Sequence, residues 1–318
     1  MTDTQNEVFK TPVNKIRLFE HGAPGSQNLK LTRKYYTEDM PDGRVKHIVQ
    51  NITDPDIVPY IPDGIGNSTD RQRIPAVLII PGGAFRRLVY NFEGEDVAKW
   101  LNSMGIAAFV LECRLPSDEH DNAEDVPLID AMRAMRVIRG RAQEFGIDEA
   151  KIGVMGFSAG GFMAALLSTA YESDVYADYK YKDEYDKLSA RPDFAVCSYP
   201  VISIDDCIEA GKRYMSEEQV LERISDSKAK ILHKYNPDKL VRPDMPPVFI
   251  CETDDDRTTL SENSVGFYMA ARKAGVSAEL HIFRTGGHGY GCGDDFAQTG
   301  EWKAVSYTHL TLPTKLEV

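Results

Sequence analysis

A short apolar strand, Ile152-Gly153-Val154-Met155, runs directly into Gly156-Phe157-Ser158-Ala159-Gly160-Gly161, and a helix of small and apolar residues, Phe162 to Leu167, runs out of it. G-x-S-x-G in that setting needs a turn sharp enough to lift a strained serine above the end of a sheet. Small residues on either side let strand and helix approach closely enough to make it. Five matching residues alone would leave a chance Gly/Ser turn a serious reading. The strand before and the helix after favour Ser158 as a nucleophile.

The surrounding chain repeats the same alternation. Ala76 to Ile80, Ile106 to Leu111, Ile152 to Met155, Phe194 to Val196, Val248 to Cys251 and Glu279 to Phe283 are apolar, strand-length runs. Between them, Asp96 to Met104, Leu128 to Phe145 and Leu260 to Ala274 carry apolar residues at helical spacing. Pro127 stands at a helix start and Gly275 at a helix end. Continuous apolar strands alternating with helices predict an α/β fold, a mostly parallel sheet with helices on both faces. Residues 1–70 are rich in Pro, Gly, Asn and Asp. Their strand-like pieces, Lys15 to Phe19 and Arg44 to Ile52, are expected as leading antiparallel strands on the sheet edge. The charged stretch Asp205 to Asp244, with helical pieces such as Glu217 to Ile224, is expected to form a small cap over the mouth. Residues 1–305 thus read as one domain.

A formal net charge of −12 argues against nucleic acid or an anionic membrane as partner, since both require a basic surface. No apolar run approaches the roughly 20 residues of a membrane span. Met1 to Lys10 is polar and lacks the apolar stretch of a secretion signal. The expected location is the cytoplasm, or outside the cell if a leader has been removed. The sequence leaves a homo-oligomer open. The five cysteines, Cys113, Cys197, Cys207, Cys251 and Cys292, are scattered without a C-x-x-C pair, which reads as small buried side chains.

A serine hydroxyl needs a base to take its proton. Of seven histidines, His288 is the one placed for this, in Gly286-Gly287-His288-Gly289-Tyr290-Gly291 after the last strand. The third member should orient the imidazole and stabilise its charged form. It is expected in Glu252-Thr253-Asp254-Asp255-Asp256-Arg257, after the strand Val248 to Cys251. We take Asp255 first, then Asp256, then Asp254; the others would be solvated turn residues. The order Ser158, Asp255, His288 is that of an α/β-hydrolase. Pro81-Gly82-Gly83-Ala84-Phe85 follows its own strand where an oxyanion loop belongs. The N–H groups of Gly83 and Ala84, with that of Ala159, are the expected oxyanion donors. Phe85, Phe157 and Tyr290 flank these motifs as candidates to line the acyl pocket, although each type is more often core packing. The chemistry calls for no metal and no organic cofactor.

Several segments resemble the bacterial acetyl-xylan and feruloyl esterases of the dienelactone-hydrolase-like branch of the α/β-hydrolases. They are Pro81-Gly82-Gly83, Glu93-Gly94-Glu95-Asp96, Leu111 to Pro116, the elbow, Ser189-Ala190-Arg191-Pro192-Asp193 and Gly287-His288-Gly289. The resemblance runs from about Val13 to Gly293. It implies an α/β-hydrolase fold, an acyl-enzyme mechanism, and an acetyl or feruloyl ester on a plant polysaccharide as substrate. The chain departs from the pattern at Ala84, Arg86-Arg87, Cys113 and Thr258-Thr259. A serine exopeptidase or a non-catalytic binding module of the same fold are the other readings, and a nucleophile other than serine is excluded by Ser158. Ser306 to Lys315 resembles translated adapter read-through, so residues 306–318 are expected to be a non-native tail.

Overall fold

The computed structural model describes residues 9, 13–65, 73–216, 218–220, 229–293, 299–304 and 306. The strands are β1 (Ile16–Arg17), β2 (Lys34–Asp39), β3 (Val45–Gln50), β4 (Asp56–Tyr60), β5 (Ile74–Ile80), β6 (Leu88–Val89), β7 (Ala107–Glu112), β8 (Ile147–Phe157), β9 (Ala195–Ser198), β10 (Val248–Thr253) and β11 (Ala278–Phe283). Helices among the described residues include α1 (Asp96–Ser103), α2 (Val126–Gly140), α3 (Ala142–Phe145), α4 (Ala159–Ala170), α5 (Ile204–Tyr214), α6 (Ala229–Lys234) and α7 (Ser261–Lys273).

Eight strands form one sheet in the order β1-β4-β7-β5-β8-β9-β10-β11. From β7 to β11 every pairing is parallel, while β4 and β1 join antiparallel at one edge. Each apolar run foreseen from the sequence supplies one of the parallel strands. In β5, β7, β9, β10 and residues 152–157 of β8 this continuity follows from burial on both faces, which leaves no polar face to alternate with, whereas β11 at the sheet edge is only partly buried. Residues 76–80 of β5 and all of β7 are buried.

Two expectations need correction. Val45–Gln50 is not an edge strand of the main sheet; it pairs with β2 and β6 in a separate three-stranded sheet. Buried charges tie this leading region to the main sheet: Glu112 at the end of β7 meets Lys15 Nζ and Arg33 Nη1, each at 2.6 Å. The single helix foreseen over Leu128 to Phe145 is two, α2 and α3. The chain leaves helical geometry at Arg141 (φ −103°, ψ 16°), and α3 stops at Gly146, whose φ of 67° favours glycine. Apolar periodicity continues across the break, so the pattern alone could not reveal it.

The connection from β9 to β10 carries α5 and α6. Asp125, just before α2, meets Lys234 Nζ at 2.7 Å and accepts the Tyr235 hydroxyl proton. Because α2 follows β7, this anchor lies on the C-terminal edge of the sheet, the edge that carries Ser158. Of Glu217 to Ile224 the described residues are 218–220, which are helical. The tail, apart from Ser306, lies outside the described residues. No described helix is long and apolar enough to cross a membrane. Cys113, Cys197, Cys251 and Cys292 are buried free thiols.

Candidate active site

Strand β8 ends at Phe157 and helix α4 begins at Ala159, so Ser158 alone makes the turn. Its φ of 53° and ψ of −118° are a strained combination for a residue with a side chain. The turn closes because glycine stands where backbones touch. A Cβ on Gly156 would lie 2.0 Å from Gly160 O, and one on Gly160 would lie 1.9 Å from Ile80 O. Neighbouring backbone holds the strained residue in place: Ser158 N–H donates to Ser198 O at 3.0 Å, and Ser158 O accepts Phe162 N–H at 3.0 Å.

His288 meets the serine as foreseen, with Nε2 2.8 Å from Ser158 Oγ. Its other nitrogen, Nδ1, lies 2.6 Å from Asp256 Oδ2. A carboxylate only accepts, so Nδ1 carries the ring proton and the lone pair of Nε2 faces the serine hydroxyl. Gly287 and Gly289, at φ 63° and 79°, let the chain turn on both sides of the histidine.

The carboxylate that meets the imidazole is therefore Asp256 and not Asp255. Asp255 Oδ1 instead accepts the N–H groups of Gly286 at 3.0 Å and Gly287 at 2.8 Å, and so shapes the loop that presents His288. The turn after β10 sends these neighbours to different places: Asp254 and Asp255 are exposed, whereas Asp256 is buried. Burial by itself would push the Asp256 carboxyl up. The His288 hydrogen bond and charge, with the N–H groups of Thr259 and Thr258, outweigh it and hold the carboxyl below its ordinary value. Those amides donate to Oδ1 at 2.9 and 2.7 Å, and the Thr259 hydroxyl reaches Oδ2 at 3.0 Å and His288 Nδ1 at 3.2 Å. Asp256-Arg257-Thr258-Thr259 is an aspartate capping the amides two and three residues on, a local signal that could have singled it out.

The loop after β5 stands beside the nucleophile. A Cβ on Gly82 would be 3.0 Å from Ser158 Cβ and 2.4 Å from Phe157 O. Gly83, Ala84 and Phe85 follow with φ of 138°, 56° and 59°. Among the described residues no hydrogen bond engages the N–H of Gly83, Ala84 or Ala159. Ala159 opens α4, where the helix dipole also favours an anion.

Two residues that sequence reasoning missed complete the surroundings. Glu93 lies in a widened helical turn, Asn91–Glu95, and is buried. Its Oε2 accepts Gly82 N–H at 2.8 Å and its Oε1 accepts the Tyr199 hydroxyl proton at 2.9 Å. Tyr199, just past β9, packs edge-on against His288 with ring centroids 5.1 Å apart. Glu93 opens the Glu93-Gly94-Glu95-Asp96 segment that carries the family resemblance, but nothing local in the sequence places either residue in the site.

The aromatic candidates divide. Phe157 is wholly buried against Tyr199 and Trp302, and Tyr290 is buried with its ring 4.5 Å from that of Tyr199. Both are core residues, which corrects their assignment to the acyl pocket. In β8, side chains alternate between faces, so Phe157 packs while Ser158 emerges. Phe85 lines a cavity of about 10 Å³ behind the loop, together with Gly82, Leu115, Ala159, Gly160 and Met163. That volume holds about one water or methyl group.

A parallel sheet whose central strand delivers a strained serine to a histidine, with the partner acid after a later strand, defines an α/β-hydrolase. Within that class the chain belongs to the BD-FAE family, whose model matches residues 65–270. It is similar to an acetylxylan esterase of Xylanibacter ruminicola, 31% identical over 223 residues, covering 70% of this chain and 42% of the relative. It is also similar to endo-1,4-beta-xylanase B of Butyrivibrio fibrisolvens, 30% identical over 240 residues, covering 75% of this chain and 36% of the relative. The chain thus spans less than half the length of either. Among solved structures, an acetyl ester-xyloside bifunctional hydrolase from Caldicellulosiruptor lactoaceticus matches with a TM-score of 0.67 and 33% identity, over 93% of this chain and 95% of that one. A thermophilic esterase from Thermogutta terrifontis, with propionate bound, matches with a TM-score of 0.62 at 23% identity over 90% and 94%, and this likeness supports the fold.

Proposed function

We propose that this chain is a serine carboxylesterase that removes acetyl groups from xylan. The observation that carries the reading is the unbroken relay from Ser158 Oγ to His288 Nε2 at 2.8 Å and from Nδ1 to Asp256 at 2.6 Å. His288 takes the Ser158 proton as Oγ bonds to the ester carbonyl carbon. The N–H groups of Gly83, Ala84 and Ala159 receive the oxyanion. His288 then gives its proton to the departing sugar hydroxyl, leaving an acyl-serine. A water, deprotonated by the same imidazole, attacks that acyl group, and the proton returns to Ser158 as the acid leaves. These steps need no cofactor. The acetylxylan esterase and the acetyl ester-xyloside hydrolase among the similar proteins agree with an acylated xylan substrate. We also read residues 1–305 as one domain, in which the connection over 205–244 forms a small cap at the mouth.

Acetylated xylan and methyl ferulate, given to wild type and Ser158→Ala, test this. Acetate release that disappears in the variant, with ferulate released at least about tenfold more slowly, is the expected outcome. Preferred release of ferulate would refute the acetyl assignment. A folded wild type that cleaves neither ester would refute the esterase reading and turn attention to peptides.

A further inference from the structure

A carboxylate is expensive to bury unless every contact it makes is matched, and Glu93 is a buried carboxyl for which the esterase steps above have no use. Its two partners are both compelled to donate. Gly82 offers an N–H. Tyr199 Oη already accepts Gly291 N–H at 3.0 Å, so its own proton is left for Glu93 Oε1. Both contacts drawn here are donated to Glu93, an arrangement that suits its ionised form. Through these bonds one side chain touches the oxyanion loop directly at Gly82. It also reaches the His288 loop at Gly291 through a tyrosine whose ring lies against the imidazole. Burial pushes the Glu93 carboxyl above its ordinary value, while the Tyr199 hydrogen bond, the His288 imidazole and the Gly82 N–H oppose that push.

We propose that Glu93 is a positioning residue for this reaction: it ties the Gly82–Ala84 loop to Tyr199 and the His288 loop, and it sets a second negative charge, after Asp256, facing the imidazole. This rests on the esterase reading. The arrangement explains why an apolar residue does not fill the space. Packing alone could hold Gly82, but it could not accept two protons or favour the imidazolium that forms as Ser158 attacks. The turn that carries Glu93 supports this: Glu95 N–H reaches back to Tyr90 O at 2.8 Å, a one-residue widening of a kind that collects at functional sites.

The test is Glu93→Gln, which keeps the shape and removes the charge. Tyr199→Phe cuts the link to Gly291 and removes one of the two donors to Glu93. Two reactions are followed against a Ser158→Ala blank: hydrolysis of p-nitrophenyl acetate, and covalent labelling of the serine by a fluorophosphonate. The label uses nucleophile, base and oxyanion donors whatever the natural ester is, so a chain that labels but cleaves no xylan loses its substrate assignment while Glu93 is still tested. Glu93→Gln should lower kcat and the labelling rate about tenfold or more, with KM within about threefold. It should also move the acidic limb of both pH profiles to lower pH, since losing a facing negative charge makes the imidazolium harder to form. The groups against His288 are Asp256, Thr259, Ser158 and Tyr199; Glu93 acts on it from beyond Tyr199, Glu252 acts on Asp256, and Lys46 acts on Glu93. The substitution removes one charge from this set, so the limb reports on Glu93. Tyr199→Phe should slow both reactions by a smaller factor. Rates within twofold of wild type in Glu93→Gln would overturn the proposal. So would slowed rates with an unmoved limb, which would make Glu93 a packing residue. Should Glu93→Gln fail to fold, undiminished rates in Tyr199→Phe would overturn it.

Discussion

The nucleophile elbow is built from backbone pressed against backbone: Gly156 against Gly160, Gly160 against Ile80, and Ser158 bonded to Ser198 and Phe162. The acid–base half is built from side chains on two loops, with Asp256 and His288 32 residues apart. Shape holds the first half, and a glycine can be checked there by asking what a Cβ would strike. Charge and hydrogen bonding hold the second, where two adjacent aspartates do different work. Asp256 orients the imidazole, and Asp255 clips the Gly286 and Gly287 amides so that the imidazole is within reach. A site made this way should fail in two distinguishable manners.

The largest effect is expected from Asp256→Asn, which leaves shape almost unchanged and lets the ring settle in the wrong tautomer. A tautomer error of this kind in a serine triad lowers kcat about 10⁴-fold, and single-turnover kinetics on an acetyl ester would check it. If Asp255→Asn were the more damaging of the two, the division of labour drawn here would be reversed. Next comes Gly160→Ala, which forces a methyl group onto Ile80 O. A loss of about 3 kcal/mol in denaturant unfolding is expected from that overlap, with activity lost through folding. A folded, fully active Gly160→Ala would break the claim that the elbow is held by close approach. Asp255→Ala should be milder, about tenfold in kcat with KM little changed, because the loop loses its clip and not its chemistry.

The smallest effect separates the halves by pH. The Asp256 carboxyl is held below its ordinary value of 3.8, burial opposing and the His288 contact prevailing. A carboxyl with a depressed folded pKa contributes stability that is full above the unfolded value and drains away as pH falls through the folded one. The gap in melting temperature between wild type and Asp256→Asn should therefore narrow below pH 3.8. The gap between wild type and Gly160→Ala should not change with pH. A pH-independent Asp256→Asn gap would mean that the carboxylate is not stabilised by its partner.

Much of this molecule was legible in its sequence for a local reason. Parallel strands buried on both faces announce themselves as apolar runs, and the elbow and the glycine-flanked His288 are contiguous strings whose geometry needs those residues. Asp255 against Asp256 was decided by a turn one residue deep after β10, below the resolution of apolar pattern, although Thr258 and Thr259 held a clue. Val45–Gln50 read as a strand, but which sheet it would join depended on its partners, β2 and β6.

Residue order was enough to specify the parallel strands and to single out Ser158 and His288, because each rests on contacts between residues near in the chain or on a period that burial imposes. Only the assembled fold settles which aspartate meets His288, that Phe157 and Tyr290 are core, and that Glu93 lies against the Gly82–Ala84 loop. Those facts depend on where loops from β5, β9, β10 and β11 arrive together at one edge of the sheet. That convergence is fixed by strand order and register, and no segment of the chain carries it alone.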